Sequence, residues 1–522
     1  MTAFSDILGQ SPTAVLELPE SGFGASHEDS ALDRPARTGD RGKRRLLLIA
    51  YQFPPVGGAG VQRVTKFVKY LPQFGWHVTV LTVKNPSVPI LDESLLSDIP
   101  AETVLARATT WEPGYTLKSL VAGAPDSSAR MLRSVVRSSV KNVVRRIANY
   151  VLQPDPQILW VPQAIRMGRE LLGRQPYDAI LASGPPFSTF LVGRALSSQC
   201  GVPLAVDYRD EWDLSNKYME NRKFGHLASW IQRRQQERVL RSASAVIATT
   251  RAGTASLESA IGRAGSRAET ACIYNGFDPD DFPAGVVETA NRPADAPLRL
   301  VYVGTLWKLT SMAPLGAALR LLANRMPDLG RRIKLVVAGR RTPEEQQELA
   351  SLQAATGCVE ELAYVEHSDA VALMRSADML LANLADLPGT ERVLPAKAFE
   401  YLAVRKPILA VTPRGELWDL LKQHPGTALF NPSNATGIAE LLEISLARGV
   451  SSDPRPVLHG KLAGLDRISQ CRQLAEVLAR VVTGSGIRVT GSGIRENSDG
   501  HKPSISSCDA QHVNSGNSRS HG

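Results

Sequence analysis

Short apolar runs alternate with longer amphipathic stretches along most of the chain. Runs of this kind, bounded by turn residues, are typical of strands that are buried on both faces. We predict strands at residues 45–50, 77–83, 177–182, 202–208 and 244–250 in the first half, and at 298–304, 332–339, 378–383 and 406–412 in the second. Strands that alternate with amphipathic helices indicate an α/β protein with parallel sheets.

A proline-rich acidic segment separates the two halves. Residues 277–297 read FDPDDFPAGVVETANRPADAP, a composition typical of a linker. We therefore predict two doubly wound domains, one over residues 43–285 and one over residues 297–482 that closes with a C-terminal helix. Ligands bind such sheets at the carboxyl ends of the strands, and here also between the two domains.

The two ends of the chain lack this periodicity. Residues 1–42 mix Ser, Gly, Pro and acidic residues, and residues 483–522 are rich in Gly, Ser and Asn. The sequence VTGSGIR occurs twice in tandem, at 482–488 and at 489–495. Such composition is typical of flexible linkers, so both ends are predicted to be disordered.

Composition indicates a soluble intracellular protein. No apolar stretch in the 522 residues approaches the length of about 18–20 residues that a spanning helix needs, and the first 40 residues contain no signal-peptide pattern. The five cysteines are scattered without a CxxC pair, and the nine histidines form no HExxH. These patterns exclude a zinc ribbon and a zincin, and they favour a reducing compartment such as the cytoplasm.

Charge is distributed unevenly along the chain. The net charge is +9, although residues 1–42 contain seven acidic and only three basic residues. The globular part is therefore strongly basic, which favours an anionic partner such as nucleotide phosphates, lipid headgroups or nucleic acid. Aromatic residues make up only 6% of the chain, and no motif combines stacking and basic residues, so nucleic acid is the least favoured of the three.

A glycine-rich loop follows the first predicted strand. Gly57, Gly58 and Gly60 lead into a predicted helix, and the free N–H groups at such a helix start can bind phosphate. The segment GAGVQR lacks the third glycine of a dinucleotide-binding fingerprint, and Lys84 follows the second strand where an acidic residue is expected. A glycine turn with only a structural role is the alternative.

A second candidate binding segment follows the predicted strand at 378–383. It reads LPGTERVLPAKAFEYLAVRKPILAVT, residues 387–412. Pro395 is suited to the first turn of a helix, which places Lys397 in that turn and Glu400 one turn later. Helix N–H groups and Lys397 would bind a diphosphate, and Glu400 would accept the ribose hydroxyls. Alternatively, Glu400 only pairs with Arg405 or Lys406.

Three charged residues lie at the carboxyl end of the strand predicted at 202–208. Asp207, Arg209 and Asp210 lie at its carboxyl end, where charged groups are costly unless they are paired or used. They are either functional groups of the cleft or a structural Asp–Arg pair that braces its wall. His77 and His226 are isolated histidines, which are usually structural.

Residues 130–152 read RMLRSVVRSSVKNVVRRIANYVL, with six basic residues and no acidic one. At helical spacing the bases line one side and apolar residues line another. Such a helix can bind an anionic membrane surface. The alternative is a helix packed on the N-terminal domain with its basic face in solvent.

Several segments, in this order and spacing, resemble the GT-B glycosyltransferases of family 4, the glycosyl transferases group 1. These are FPPVGGAGVQR, GWHVTVLT, DAILASGPPFST, GVPLAVDYRDEW, VIATT, IYNGFD, YVGTL, LPAKAFEYLA and KPILAV, which span roughly residues 44–480. The resemblance implies two Rossmann-like domains facing a central cleft. It also implies metal-independent transfer of a sugar from a UDP- or GDP-linked donor, held mostly by the C-terminal domain, to a glycan or lipid-linked acceptor. The configuration of the sugar would be retained, and the leaving diphosphate would help to deprotonate the acceptor.

The resemblance also assigns individual residues. Glu400 matches the second glutamate of the family's Glu-seven-residues-Glu motif, whereas the first falls on Arg392, one residue after Glu391. Thr305 stands where a phosphate-binding arginine is common, so Lys308 is the nearest cation. Arg340 or Arg341 could substitute for it. Many family members carry a histidine near Asp207, where this chain has an Arg–Asp pair.

We therefore expect a retaining glycosyltransferase of surface polysaccharide or glycolipid synthesis, peripheral on the inner face of the membrane if residues 130–152 bind lipid. The predicted catalytic residues are Arg209, Asp210 and Lys308. The predicted nucleotide-sugar ligands are Gly57, Gly58, Gly304, Arg340, Arg392, Lys397 and Glu400. No metal and no cofactor are expected. The alternatives are a nucleotide-sugar epimerase of GT-B fold, a degenerate non-catalytic GT-B module and an NADP-dependent oxidoreductase.

Overall fold

The N-terminal half of the chain forms a parallel sheet. A computed structural model describes residues 43–88, 90–114, 152–218, 225–282, 296–448 and 462–485. Within these ranges the first sheet has seven strands in the order β3-β2-β1-β4-β5-β6-β7. The strands are Arg44–Ile49 (β1), Trp76–Val83 (β2), Val104–Ala108 (β3), Ala179–Gly184 (β4), Leu204–Tyr208 (β5), Ala245–Ala248 (β6) and Glu269–Cys272 (β7).

The C-terminal half repeats this plan with a smaller sheet. Its six described strands are Leu298–Val303 (β8), Ile333–Ala338 (β9), Val359–Leu362 (β10), Met379–Asn383 (β11), Ile408–Val411 (β12) and Thr427–Phe430 (β13). They are parallel and follow the order β10-β9-β8-β11-β12-β13. In both sheets the strand order reverses beside the first strand, so each has a switch point at which ligands bind in folds of this kind.

Helices cover both faces of each sheet. In the N-terminal half they are Ala59–Tyr70 (α1), Val161–Arg174 (α2), Ser188–Cys200 (α3), Trp212–Tyr218 (α4), His226–Ser242 (α5) and Arg251–Ala264 (α6). The C-terminal half contributes Ala313–Arg325 (α7), Leu329–Arg332 (α8), Pro343–Thr356 (α9), His367–Arg375 (α10), Lys397–Val404 (α11), Glu416–Leu421 (α12), Ala435–Arg448 (α13) and Arg467–Ser485 (α14).

Strand β1 shows why the central strands are apolar throughout. Leu47 and Ile49 pack into one hydrophobic cluster, whereas Leu46 and Leu48 pack into another on the opposite face of the sheet. Successive side chains of a strand point to opposite faces, so a strand covered on both sides must be apolar at every position. The two-domain α/β prediction is confirmed.

The nine strands predicted from apolar runs are all present, within a few residues of the predicted bounds. The four strands that were not predicted are β3, β7, β10 and β13, which are the outermost strands of the two described sheets. All residues of β7 and of β13 are only half-buried. A strand at the edge of a sheet buries less of its surface, so its apolar pattern is weaker.

Helix α14 returns to the N-terminal domain. Cys471, Leu474 and Leu478 are buried in the same cluster as Leu46 and Phe67 of the first sheet and helix α1. The predicted C-terminal domain over 297–482 included this helix, but the structure places it on the N-terminal sheet. Its amphipathic stripe predicts a packed helix without showing which sheet it covers.

The terminal and membrane-binding predictions fall mostly outside the described residues. These are the disordered segment 1–42, most of the tail 483–522, and the basic segment 130–152 except for Leu152. Helix α14 extends to Ser485, so the first three residues of the predicted tail are helical. No helix of the described ranges is long and apolar enough to cross a membrane.

Candidate active site

The two domains enclose a cavity of about 520 Å³ at the carboxyl ends of their strands. Residues that follow β1, β5 and β6 line one wall, and residues that follow β8, β9 and β11 line the other, together with the start of α11. Both switch points therefore open into the same space. A concave site between two α/β domains is the expected position of a small-molecule site.

The glycine loop lines the N-terminal wall of the cavity. A Cβ atom on Gly57 would lie 2.7 Å from Cγ2 of Ile90, and a Cβ atom on Gly60 would lie 3.1 Å from Nη1 of Arg209. Gly58, at the N-terminus of α1, has a positive φ of 107°, which favours glycine. Close packing therefore explains why residues 57 and 60 are glycines, which agrees with the alternative of a structural role for this turn. The loop also places the start of α1 at the cavity.

Arg63 is a residue of the cavity wall that the sequence did not reveal. It is 2% exposed, and its Nη2 lies 2.9 Å from Oδ1 of the fully buried Asp207. Its Nη1 donates to the carbonyl of Tyr274 at 2.8 Å, and Ser183 Oγ donates to Oδ2 of Asp207 at 2.8 Å. Asp207 is therefore the partner of a structural pair, but with Arg63 rather than with Arg209. Nothing in the local pattern around Arg63 indicates a partner so distant in sequence.

Arg209 lines the cavity and braces the segments of its N-terminal wall. Its guanidinium donates to the carbonyl oxygens of Gly60 and Pro185, and to Oε1 of Gln52 at 3.1 Å. Burial lowers the pKa of Arg209. Because its donors are directed at two backbone carbonyls and one side-chain amide of the protein, the side chain acts as a structural brace in this conformation.

Asp210 is the carboxylate of the N-terminal wall that is open to the cavity. Its side chain is exposed there, and it makes no hydrogen bond or ion pair with any residue that the structure describes. Enclosure by the surrounding protein raises the pKa of its carboxyl, although the neighbouring Arg209 acts in the opposite direction. Asp210 is therefore placed to accept a hydrogen bond from a hydroxyl of a bound molecule.

Lys397 and Glu400 pair with each other on the C-terminal wall. Lys397 lines the cavity, and its Nζ lies 2.5 Å from Oε2 of Glu400. Glu400 is 6% exposed and is not among the cavity-lining residues. In this structure Glu400 therefore forms an ion pair, as the alternative prediction had it, although its partner is Lys397 rather than Arg405 or Lys406.

The predicted phosphate-binding residues after β8 and β9 separate into two groups. Gly304 and Arg340 line the cavity, and Arg340 is exposed and has no ion pair within the described ranges. Arg341 instead pairs with Glu361 at 2.9 Å. Lys308 is not among the lining residues, and its Nζ lies 5.8 Å from the centroid of the Tyr218 ring. The structure therefore does not bring Lys308 together with the other predicted catalytic residues.

Arg392 lines the cavity and pairs across the domain boundary. Its Nη1 lies 3.1 Å from Oε2 of Glu211, which belongs to the N-terminal wall. Glu391, the nearest acidic residue to the motif position, accepts from the backbone N–H of Gly389 at 2.9 Å and does not line the cavity. Arg392 therefore stands at the cavity in place of the motif's first glutamate.

The two histidines discussed from the sequence lie outside the cavity, and a different histidine lines it. His77 and His226 are both exposed and lie away from the cavity, whereas His367 lines it and places Nε2 2.9 Å from Oδ2 of Asp281. Among the residues with described positions, no group of three or more His, Cys, Asp or Glu side chains could hold a metal ion.

Two family models match the sequence. Residues 57–276 match the Glycosyl transferase 4-like domain, and residues 297–447 match the domain of Glycosyl transferases group 1. The first match includes β2 to β7, the second includes β8 to β13, and together they include most cavity-lining residues. A search of curated proteins found no matching sequence.

Solved structures of low sequence identity share the architecture. The sucrose-phosphate synthase of Thermosynechococcus elongatus is 17% identical with a TM-score of 0.50, and the match covers 85% of this chain and 98% of that one. An α,α-trehalose 6-phosphate synthase from Burkholderia multivorans is 12% identical with a TM-score of 0.54, covering 85% and 100%. A UDP-forming α,α-trehalose-phosphate synthase from Burkholderia vietnamiensis is 12% identical with a TM-score of 0.53, covering 84% and 99%. At such identities the likeness shows the fold alone.

Proposed function

The chain belongs to the glycosyl transferases group 1 family of GT-B fold, and from this membership we propose that it transfers a sugar from a nucleoside diphosphate donor to a glycan or lipid-linked acceptor. The observation that carries the proposal is the cavity between the domains. One wall presents the carboxylate of Asp210, and the opposite wall presents the cations Arg340 and Lys397. These are the charges that a hydroxyl acceptor and a diphosphate leaving group require.

The C-terminal wall is the proposed donor site. Arg340 has no ion pair within the described ranges, and Lys397 lies in the first turn of α11, where the dipole of the helix adds positive potential. Uridine diphosphate is the first nucleotide to test, because the Burkholderia vietnamiensis enzyme of similar fold is UDP-forming. Guanosine diphosphate is the second.

The N-terminal wall is the proposed acceptor site. In the proposed reaction the bond between the sugar C1 and the diphosphate oxygen breaks, and a bond between C1 and the acceptor oxygen forms on the same face. The acceptor proton passes to the released diphosphate. Arg340 and Lys397 stabilise the negative charge that develops on the diphosphate, and Asp210 orients the acceptor hydroxyl. The scheme requires no metal.

The decisive experiment is incubation of the full-length protein with a panel of UDP- and GDP-sugars, followed by measurement of nucleotide release with and without candidate acceptors. We expect one donor to release nucleotide in an acceptor-dependent manner. Release without acceptor, together with an epimerised or free sugar, would indicate an epimerase instead. Absence of binding and turnover with every nucleotide would refute the proposal.

A pair of lysine variants tests the donor wall. Lys397→Met should weaken diphosphate affinity by about 1.5–3 kcal/mol and nucleoside affinity much less, because a charged hydrogen bond is lost. Lys422→Met is the matched control, since Lys422 also pairs three residues away, at 2.6 Å from Asp419, but is exposed outside the cavity. Equal losses for nucleoside and diphosphate in Lys397→Met would show that Lys397 is not a phosphate ligand.

Peripheral membrane association through residues 130–152 is the second part of the proposal. It is supported by the basic amphipathic pattern of this segment, and a lipid-linked acceptor would give such contact a purpose. Co-sedimentation with liposomes that contain or lack anionic lipid, at low and high salt, tests it. Equal recovery in the supernatant with both lipid compositions at low salt would refute membrane binding and leave the proposed transfer reaction intact.

A further inference from the structure

A short segment of the C-terminal domain, residues 388–392, packs against helix α4 of the N-terminal domain. The hydroxyl of Tyr218 donates to the carbonyl of Pro388 at 2.7 Å. Gly389 adopts a φ of 102°, and a Cβ atom there would lie 2.6 Å from Cδ1 of Leu214. The two walls of the cavity therefore meet closely at this edge.

Arg392 and Glu211 form an ion pair at the same edge, beside the contacts of Tyr218 and Leu214. Their side chains are 30% and 14% exposed, and Nη1 of Arg392 lies 3.1 Å from Oε2 of Glu211. Ser256 of helix α6 braces the pair, because its Oγ donates to the same Oε2 at 3.2 Å and accepts from Nη1 of Arg392 at 3.3 Å. An enclosed and braced pair of this kind is screened less by solvent than a surface pair.

The pair connects the two sets of residues that the proposed reaction uses. Glu211 directly follows Asp210, the open carboxylate of the acceptor wall. Arg392 precedes Lys397 of the donor wall by five residues, and its backbone N–H is held by the carbonyl of Gly389 at 3.2 Å. Asp210, Glu211, Arg392 and Lys397 all line the cavity. Short stretches of backbone therefore connect this ion pair to Asp210 on one wall and to Lys397 on the other.

We propose that Glu211 and Arg392 form a positioning pair, whose ion pair sets the separation of the cavity walls at which the acceptor hydroxyl reaches the donor sugar. This inference rests on the proposed function. Neither residue needs to touch the reacting atoms. The pair also explains why an arginine is compatible with position 392, since the opposite wall supplies the carboxylate that it requires.

The proposal makes an unusual prediction for Arg392→Glu. This change restores the glutamate that the family motif has at this position, yet it places two carboxylates opposite each other across the cavity. Like charges at this distance repel, so the walls should separate. The charge-reversed pair Glu211→Arg with Arg392→Glu restores opposite charges and should bring the walls together again.

The experiment compares the full-length protein with Arg392→Glu, Glu211→Arg and the double variant. With the donor identified by the sugar panel, each single variant should lower kcat at least tenfold while the affinity for free nucleoside diphosphate stays within twofold. The double variant should recover kcat to within threefold of the parent. Arg325→Glu is the matched control, since it breaks an exposed pair with Glu443, at 3.3 Å, and neither residue lines the cavity.

A second readout does not depend on activity. Hydrogen–deuterium exchange of residues 209–218 and 388–397 should become faster in both single variants and return to the parental rate in the double variant. Any of three results would refute the positioning role of the pair. These are a parental kcat in Arg392→Glu, a kcat of the double variant that does not recover, and an unchanged exchange rate in Arg392→Glu. If the parent transfers no sugar at all, the proposed function fails, and the exchange measurement still decides whether the pair holds the walls together.

Discussion

Loss of the Arg63 guanidinium should destabilise the N-terminal domain more than loss of any exposed arginine. Three contacts of 2.9–3.2 Å join Nε and Nη2 of Arg63 to the carboxylate of Asp207, and both side chains are at most 2% exposed. Arg63→Met removes both donor nitrogens and so all three contacts. The buried carboxylate then has the hydroxyl of Ser183 as its remaining side-chain donor among the described residues.

The magnitude follows from this burial. Removal of one partner of a buried ion pair costs about 3–5 kcal/mol, because the other charge is left buried and uncompensated. The bond from Arg63 to the carbonyl of Tyr274 is lost as well, which adds about 1 kcal/mol. Arg63→Met combined with Asp207→Asn leaves no buried charge at this pair, so the double variant should be about 2 kcal/mol more stable than Arg63→Met alone.

The free energy of unfolding from urea titrations, followed by circular dichroism, measures these differences. Arg325→Met is the control, because Arg325 belongs to an exposed pair with Glu443 and such pairs contribute less than about 1 kcal/mol. The reasoning is refuted if Arg63→Met costs no more than Arg325→Met. It is also refuted if the double variant is no more stable than Arg63→Met.

Three further predictions concern the binding segment, acid stability and the glycine loop. Glu400→Ala should weaken diphosphate affinity and leave nucleoside affinity unchanged, because Glu400 holds the ammonium group of Lys397 in position at the cavity. A loss of about 1–3 kcal/mol in nucleoside affinity would show that Glu400 contacts the ribose instead. Burial acts to raise the pKa of Asp278, but Lys66, Tyr70 and Lys69 outweigh it and lower this pKa from 3.8 to about 2. A carboxyl whose pKa is lowered by folding stabilises the folded state at pH values above the unfolded pKa, here by about 2 kcal/mol. This stabilisation is lost as the pH falls from about 4 to about 2. The stability difference between the parent and Asp278→Asn in urea titrations should therefore shrink over that interval, and a constant difference would contradict the assignment. Gly57→Ala should lower the free energy of unfolding by about 1–3 kcal/mol, because the new Cβ would contact the Ile90 side chain. Gly173→Ala is the helical control, since no atom lies within 4 Å of its new Cβ, and it should be neutral or slightly stabilising. Equal effects of the two changes would contradict the close packing at Gly57.

The central architecture was predictable because burial on both faces leaves a strong local pattern. A strand such as β1 must be apolar at every position, and the amphipathic helices between such strands complete the pattern. The outermost strands escaped prediction because they bury less. The candidate site was partly predictable for a related reason: Gly57, Gly58, Asp210, Arg340 and Lys397 all follow strands or begin helices at the sheet edge where ligands bind, and all line the cavity.

The sequence by itself thus determined two α/β domains, the edge of each sheet that faces the cavity, and several of the glycine and charged residues that line it. Only the tertiary structure decided the long-range partners of the charged side chains. Arg63 pairs with Asp207, Arg392 pairs with Glu211, and helix α14 packs on the first sheet. Each of these contacts joins residues far apart in the chain, so it depends on strand order and on how the domains meet. Local periodicity reports how deeply a residue is buried, whereas its partner depends on which distant segment reaches the same place.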